Sequence, residues 1–212
     1  MTMLTAQQAL ERLQAGNRDF VSELKGQAVI GSQPRHFELR EEHAPFAIIL
    51  GCSDARVPAE IIFNQCLGDL FVIRVAGNIV APSQVGSVEF AAERFGTRLV
   101  VVLGHSMCGA VQATLEEIGR PSTGQSPNLR AIVERVRPAV EPLVYTELAQ
   151  NPDALLHHAV RANIRASASQ LRHGSQILEH LVANHGLRVV GAEYSLETGR
   201  VEFFDGMPET IS

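Results

Sequence analysis

The stretch Pro45-Phe-Ala-Ile-Ile-Leu-Gly-Cys-Ser-Asp-Ala-Arg-Val-Pro58 decides how the rest of the chain is read. Ala47 to Leu50 is short and continuously apolar, which suits a strand buried on both faces of a parallel sheet. Leu70 to Val75, Leu99 to Leu103 and Leu187 to Gly191 have the same character. Between the first three runs and after the third, Pro58 to Asn64, Val85 to Phe95 and Cys108 to Ile118 have helical spacing. Alternating strand and helix units predict an α/β fold, with a central, mostly parallel sheet, flanking helices and right-handed crossovers.

Outward from that core, Thr5 and Gln8 form a capping-box pattern that starts a helix at Ala6, with Leu10 and Leu13 on one face. Gly16 and Asn17 are expected to loosen its end. Residues 1–43 read as an N-terminal helical arm, packed on its own domain or on a second subunit, and residues 44–212 as the α/β core of a single domain. Arg120 to Asn128 reads as a loop, and Pro138 and Pro142 interrupt the pattern from Leu129 to Val144. Asn151 and Pro152 open a long helix with Leu156, Val160, Ile164, Ser167 and Leu171 in its stripe, ended by Gly174. Ser175 caps another, with Leu178, Leu181 and Val182 facing inward. After the last parallel strand, Glu197-Thr198-Gly199 predicts a hairpin that adds Val201 to Phe204 as an antiparallel edge strand.

Composition narrows the function. The 212 residues are 45% hydrophobic and 19% charged, so the chain can bury a core without staples, and three cysteines cannot form an even disulfide framework. A net charge of -5 gives no broad attraction to nucleic acid or to an anionic membrane. The longest apolar runs fall far short of the roughly 18 to 20 residues of a membrane span. Met1 to Phe20 has no apolar core of a signal peptide, so the reading is cytoplasmic.

The cysteines therefore need another role. Cys52, Asp54 and Arg56 follow the first strand, and if that piece stays extended all three point to one side. Gly104-His105-Ser106-Met107-Cys108-Gly109 follows the third strand, where a strand-to-helix turn can bring His105 and Cys108 to one point. Ser106 is a plausible N-cap, which would put Cys108 in the first helical turn, where orphan amides and the helix dipole favour a thiolate. Ligand sites in open α/β sheets sit beyond the carboxyl ends of strands. If the two strands are neighbours, Cys52, His105 and Cys108 converge, and two thiolates with one imidazole suit Zn²⁺ with a fourth position open. Cys66 has no partner at chelating spacing and reads as packing or a spare thiol.

The motifs Cys52-Ser-Asp54-Ala-Arg56, Gly68-Asp-Leu-Phe71-Val-Ile-Arg74-Val-Ala76-Gly-Asn78 and Gly104-His105-Ser-Met-Cys108-Gly109 resemble the β-class carbonic anhydrases, as does the ending from Val190 to Val201. The resemblance implies a zinc lyase that reversibly hydrates CO₂ to bicarbonate and a proton through a zinc-bound hydroxide. Cys52, His105 and Cys108 would hold one Zn²⁺ per subunit, with Asp54 and Arg56 as the catalytic dyad. In a closed state Asp54 would be the fourth ligand. It further implies a substrate pocket from Phe71, Ala76, Phe90 and Gly109, and a homodimer or a tetramer built from dimers. Departures are Ile49 in place of a Trp of bicarbonate-regulated forms, although Arg74 matches, and His43 in place of a Gln. Imidazole titrates near neutral pH, so His43 is the candidate proton shuttle. Two other readings are hydrolysis of a related small molecule such as CS₂, and a non-catalytic zinc or thiol protein on the same scaffold.

Overall fold

The computed structural model describes residues 4–26, 44–120 and 126–207. Five strands form one sheet: β1 (Ala47–Gly51), β2 (Leu70–Arg74), β3 (Leu99–His105), β4 (Arg188–Tyr194) and β5 (Val201–Asp205), in spatial order β2-β1-β3-β4-β5. The first four are parallel and β5 is antiparallel to β4. The expected α/β architecture with its antiparallel edge is therefore the observed one. The chain runs from β1 to β2 on one side and then crosses back to β3 on the other. The switch point of the sheet thus lies between the carboxyl ends of β1 and β3, where ligand crevices form.

Alternation along the strands sorts two cores. Ile48, Leu50, Val100, Val102 and Val189 pack with α3 (Pro82–Arg94), α4 (Gly109–Gly119), α5 (Pro127–Val140), α6 (Pro152–His173) and α7 (Gln176–Asn184). Ala47, Ile49, Leu99, Val101, Leu103 and Val190 face the other way, toward α1 (Ala6–Leu24) and the short α2 (Ala59–Ile62). Burial on both faces is why the strand sequences are continuously apolar.

The capping box at Thr5 is present, but α1 does not loosen at Gly16 and Asn17; it continues to Leu24. A Cβ at position 16 would fall 1.8 Å from the Phe63 carbonyl oxygen, so glycine permits close packing here. Asn17 is buried, donating through Nδ2 to Ile62 O (3.2 Å) and Gly199 O (2.9 Å) and accepting at Oδ1 from Val201 N (2.9 Å). These two residues anchor the helix to its own sheet. Helix α5 passes through Pro138 within its last turn, and Pro142 falls in a following 3₁₀ turn, Glu141–Tyr145. The backbone donor lost at Pro138 would have served the Glu134 carbonyl, and both residues lie on the exposed side of the helix. Asn151 and Ser175 cap α6 and α7 as expected, and Leu178 and Leu181 are buried, whereas Val182 is 38% exposed on the outer side of α7.

Candidate metal centre

The carboxyl ends of β1 and β3 deliver the donor set. Gly51 pairs with Leu103, so Cys52 and His105 emerge side by side. Beyond β3, Met107 adopts a left-handed backbone (φ 53°), at a cost of about 1–2 kcal/mol, which turns the chain back so that Cys108 faces Cys52. Cys108 is itself the N-cap of α4, one position earlier than the first-turn placement expected. Ser106 does not cap the helix; its hydroxyl accepts from Leu196 N (3.0 Å), tying the loop to the β4–β5 hairpin.

Cys52, His105 and Cys108 are all buried, and their ligand atoms lie within 4.8 Å of one another. His105 Nδ1 stands 2.9 Å from Ser106 O, and since a carbonyl only accepts, Nδ1 carries the proton. Its Nε2 lone pair is left fully buried with no partner among the described residues. An orphaned imidazole nitrogen beside two sulfurs is what a metal would satisfy. Tetrahedral zinc takes sulfur at about 2.3 Å and imidazole nitrogen at about 2.0 Å, so small adjustments close this donor set on one ion. The residues fit zinc.

Cys108 S–H donating to Cys52 pulls the Cys52 thiol down to about 4 against the opposing effect of burial, helped by His105, while Cys108 is pushed upward. Burial disfavours the His105 imidazolium, but the Cys52 sulfur and the Ser106 carbonyl outweigh it and leave its pKa raised.

Beside the triad, Asp54 and Arg56 pair in two-pronged fashion: Nε to Oδ1 at 2.9 Å and Nη2 to Oδ2 at 2.7 Å. The piece does not stay extended. A turn closed by Val57 N donating to Asp54 O (3.0 Å) folds Arg56 back, and Arg56 N adds a third bond to Oδ1 (3.0 Å). Three donors, the guanidinium foremost, hold the Asp54 carboxyl below the usual carboxylate range. Its Oδ2 lies 3.9 Å from His105 Nε2, within short reach of the position a metal would take.

Other predicted residues sit elsewhere. Gly109 opens α4 with free space around its α-carbon, and Ala76 lies in the 3₁₀ turn Ala76–Asn78, next to the centre. Phe71 and Phe90 cluster with Phe95 at the β2–α3 edge, with ring centroids 5.7 to 6.3 Å apart. Phe71 pairs with Ile48, four residues before Cys52, which puts it roughly 13 Å away along the strand. Within one chain these two rings are not brought to the metal centre. His43 lies outside the described residues.

Sequence reasoning missed three supports of the site. Arg74 Nε donates to Cys52 O (3.0 Å) and its Nη2 to Asp54 O, clamping the backbone that carries thiol and carboxylate. The Gly77 N–H lies 3.4 Å from Cys52 Sγ. Asn163, buried on α6, holds the Gly77 carbonyl. A polar residue between Val160 and Ile164 was the one available signal for Asn163.

Among the described residues three donors converge at the switch point of an α/β sheet, with Asp54 held off by Arg56, and three is the protein-donor count of open rather than closed zinc sites. Residues 47–201 match the family model described as carbonic anhydrase. A carbonic anhydrase of Mycolicibacterium smegmatis is 36% identical over 198 residues, covering 92% of this chain and 91% of its own. Two solved structures have similar folds at 24% identity. One is the β-carbonic anhydrase CafA of Aspergillus fumigatus, with a TM-score of 0.71 over 81% of this chain and 80% of its own. The other comes from two tetrameric β-carbonic anhydrases of Sordaria macrospora, with a TM-score of 0.68 over 90% of this chain and 93% of its own. The chain belongs to the β-carbonic anhydrase family.

Proposed function

We propose that this protein is a zinc-dependent lyase that reversibly hydrates CO₂ to bicarbonate and a proton, with Cys52, His105 and Cys108 holding one Zn²⁺ per subunit. The observation that carries the reading is the buried, unpartnered Nε2 of His105 between two thiols, beside a carboxylate already held by arginine. Family membership supports CO₂ as substrate. When bound, zinc lowers the pKa of water toward neutrality and so supplies a nucleophile at ordinary pH.

The chain's own residues do the rest. Asp54, ionised across the neutral range, accepts a hydrogen bond from the attacking oxygen and orients it toward the carbon of CO₂. Arg56 keeps that carboxylate off the metal, and the Arg74 clamp fixes the backbone beneath it. If Arg56 lets go, Asp54 can close the fourth position, which gives a pH-dependent inactive state. Ala76 and Gly109 border the space left for a small uncharged substrate. Phe71 and Phe90 can line it only if a second copy brings its β2–α3 edge to this centre, in keeping with a homodimer or a tetramer of dimers. His43 stands as the proton shuttle. One domain, 1–212, works in a reducing cytoplasm, where its cysteines are kept out of disulfides; among the described residues no helix is long and apolar enough to cross a membrane.

Stopped-flow CO₂ hydration by zinc-loaded protein between about pH 7 and 9 tests the reading. A rate well above buffer is expected, and none with zinc bound would overturn it. Hydrolysis of CS₂ without CO₂ hydration would favour the related-substrate reading. Full metal binding with neither activity would leave a non-catalytic zinc protein.

A further inference from the structure

Asn163 lies within α6 among Val160, Ile164 and Ser167, on the face packed against the sheet, and is 2% exposed. A carboxamide at such a place is costly unless it is hydrogen-bonded. Its Nδ2 donates to the Gly77 carbonyl oxygen at 2.8 Å. The Gly77 N–H in turn points at Cys52 Sγ from 3.4 Å. These two bonds flank a single α-carbon, whose torsions (φ 68°, ψ 19°) set the angle between its peptide planes. Glycine is needed there: the left-handed φ is unfavourable to side chains, and a Cβ would stand 3.1 Å from Ala110 Cβ. The turn is further held by Asn78 N donating to Val75 O (3.0 Å). A buried helix on one side of the turn is thus connected, through one residue, to a sulfur on the other.

We propose that Asn163 is a positioning residue for the metal centre, which by pinning the Gly77 carbonyl aims the Gly77 N–H at the Cys52 sulfur and sets how strongly that sulfur donates. The proposal rests on the reading of Cys52 as a metal ligand. A thiolate that accepts a hydrogen bond gives less charge to a metal and leaves it the stronger Lewis acid. Asn163 touches neither substrate nor metal. Its effect is electronic and travels through the backbone, so it separates from any loss of stability.

The test uses cobalt-substituted full-length protein and the thiolate-to-cobalt charge-transfer band. Asn163→Leu, close in volume and without a donor, is expected to move that band to longer wavelength, because a sulfur freed of its hydrogen bond gives up charge more easily. Cobalt affinity is expected to change by about tenfold, the lower range for loss of an outer partner. The pH midpoint of CO₂ hydration by the zinc form should rise. Val160→Ala, in the same helix but without a bond to the turn, should lower stability and leave band and midpoint in place. An unmoved band and unchanged affinity in Asn163→Leu would overturn the proposal. If that variant does not fold, hydrogen exchange on glycine-labelled wild-type holoprotein decides. A strongly protected Gly77 amide supports the N–H to sulfur bond, and an amide exchanging as freely as in solvent overturns it. Absence of any cobalt-thiolate band in the wild type would instead sink the metal reading, so the two failures are distinguishable.

Discussion

Two buried polar regions of this molecule are finished in opposite ways. At the seam between α1 and the β4–β5 hairpin, Asn17 uses both ends of its amide, with carbonyls of Ile62 and Gly199 on one side and the Val201 N–H on the other. At the carboxyl edge of β1 and β3, His105 Nε2 and Asn78 Nδ2 are buried without partners among the described residues. An unsatisfied buried polar group costs about 1–3 kcal/mol. The seam is therefore built to hold the chain together, whereas the edge keeps a destabilising feature that a ligand would relieve. Two of the three non-glycine residues at positive φ among the described residues, Asn78 and Met107, lie at this edge as well, the third being Asn64.

If that contrast is right, substitutions at the edge should remove function while sparing the fold, and substitutions at the seam should do the reverse. The largest effect is expected from His105→Ala. Zinc content should fall to near zero and CO₂ hydration by more than the roughly 100-fold that an outer partner is worth, while the metal-free protein unfolds at an unchanged or higher urea concentration. Elemental analysis and urea titration check both halves. A markedly less stable apoprotein would break the comparison.

Arg56→Ala should come next, lowering CO₂ hydration by about 10- to 100-fold with zinc retained. Freed of its guanidinium, Asp54 should titrate closer to the ordinary carboxylate range. The sign for stability follows from its lowered pKa. The pair's contribution is fully present above the ordinary carboxylate range and is lost as pH falls through the folded value. Wild type and Arg56→Ala should therefore differ in stability at neutral pH and converge in acid, as pH-dependent urea unfolding would reveal.

At the seam, Asn17→Ala leaves two carbonyls and one N–H unpaired and should cost about 2–4 kcal/mol in urea unfolding. Zinc per folded chain and activity per bound zinc should stay as in the wild type. A variant that keeps its stability but loses metal would reverse the assignment. The smallest effect is expected at Cys66, half-buried and away from the donor set, where Cys66→Ala should stay within about 1 kcal/mol and keep full zinc.

The same contrast explains what could be read in the sequence. Strands β1 to β4 were legible because burial on both faces writes unbroken apolar runs, and β1 is buried at all five positions. The cysteine and histidine cluster was legible because sparse cysteines fall just past a strand end and at the start of the next helix, with a histidine closing β3 between them. The true length of α1 was not, since Gly16 and Asn17 look like a helix ending until the fold brings Gly199, 182 positions away, against Asn17. Asn163, and the clamping role of Arg74, stayed hidden for a related reason: each acts on a backbone carbonyl, and a carbonyl has no letter in the sequence. The turn that folds Arg56 onto Asp54 likewise replaced a simple alternation, though it brought together the same two side chains.

The central claim is that the carboxyl edge is a metal centre whose fourth position is left open by the Asp54–Arg56 pair. A crystal structure of the zinc-loaded protein near neutral pH, with anomalous data at the zinc edge, tests it most directly. The account predicts one peak per chain, bonded to Cys52 Sγ, His105 Nε2 and Cys108 Sγ, with Asp54 still on Arg56. A peak at other residues, or a tetrahedron closed by Asp54 at a pH where the protein hydrates CO₂, would contradict it.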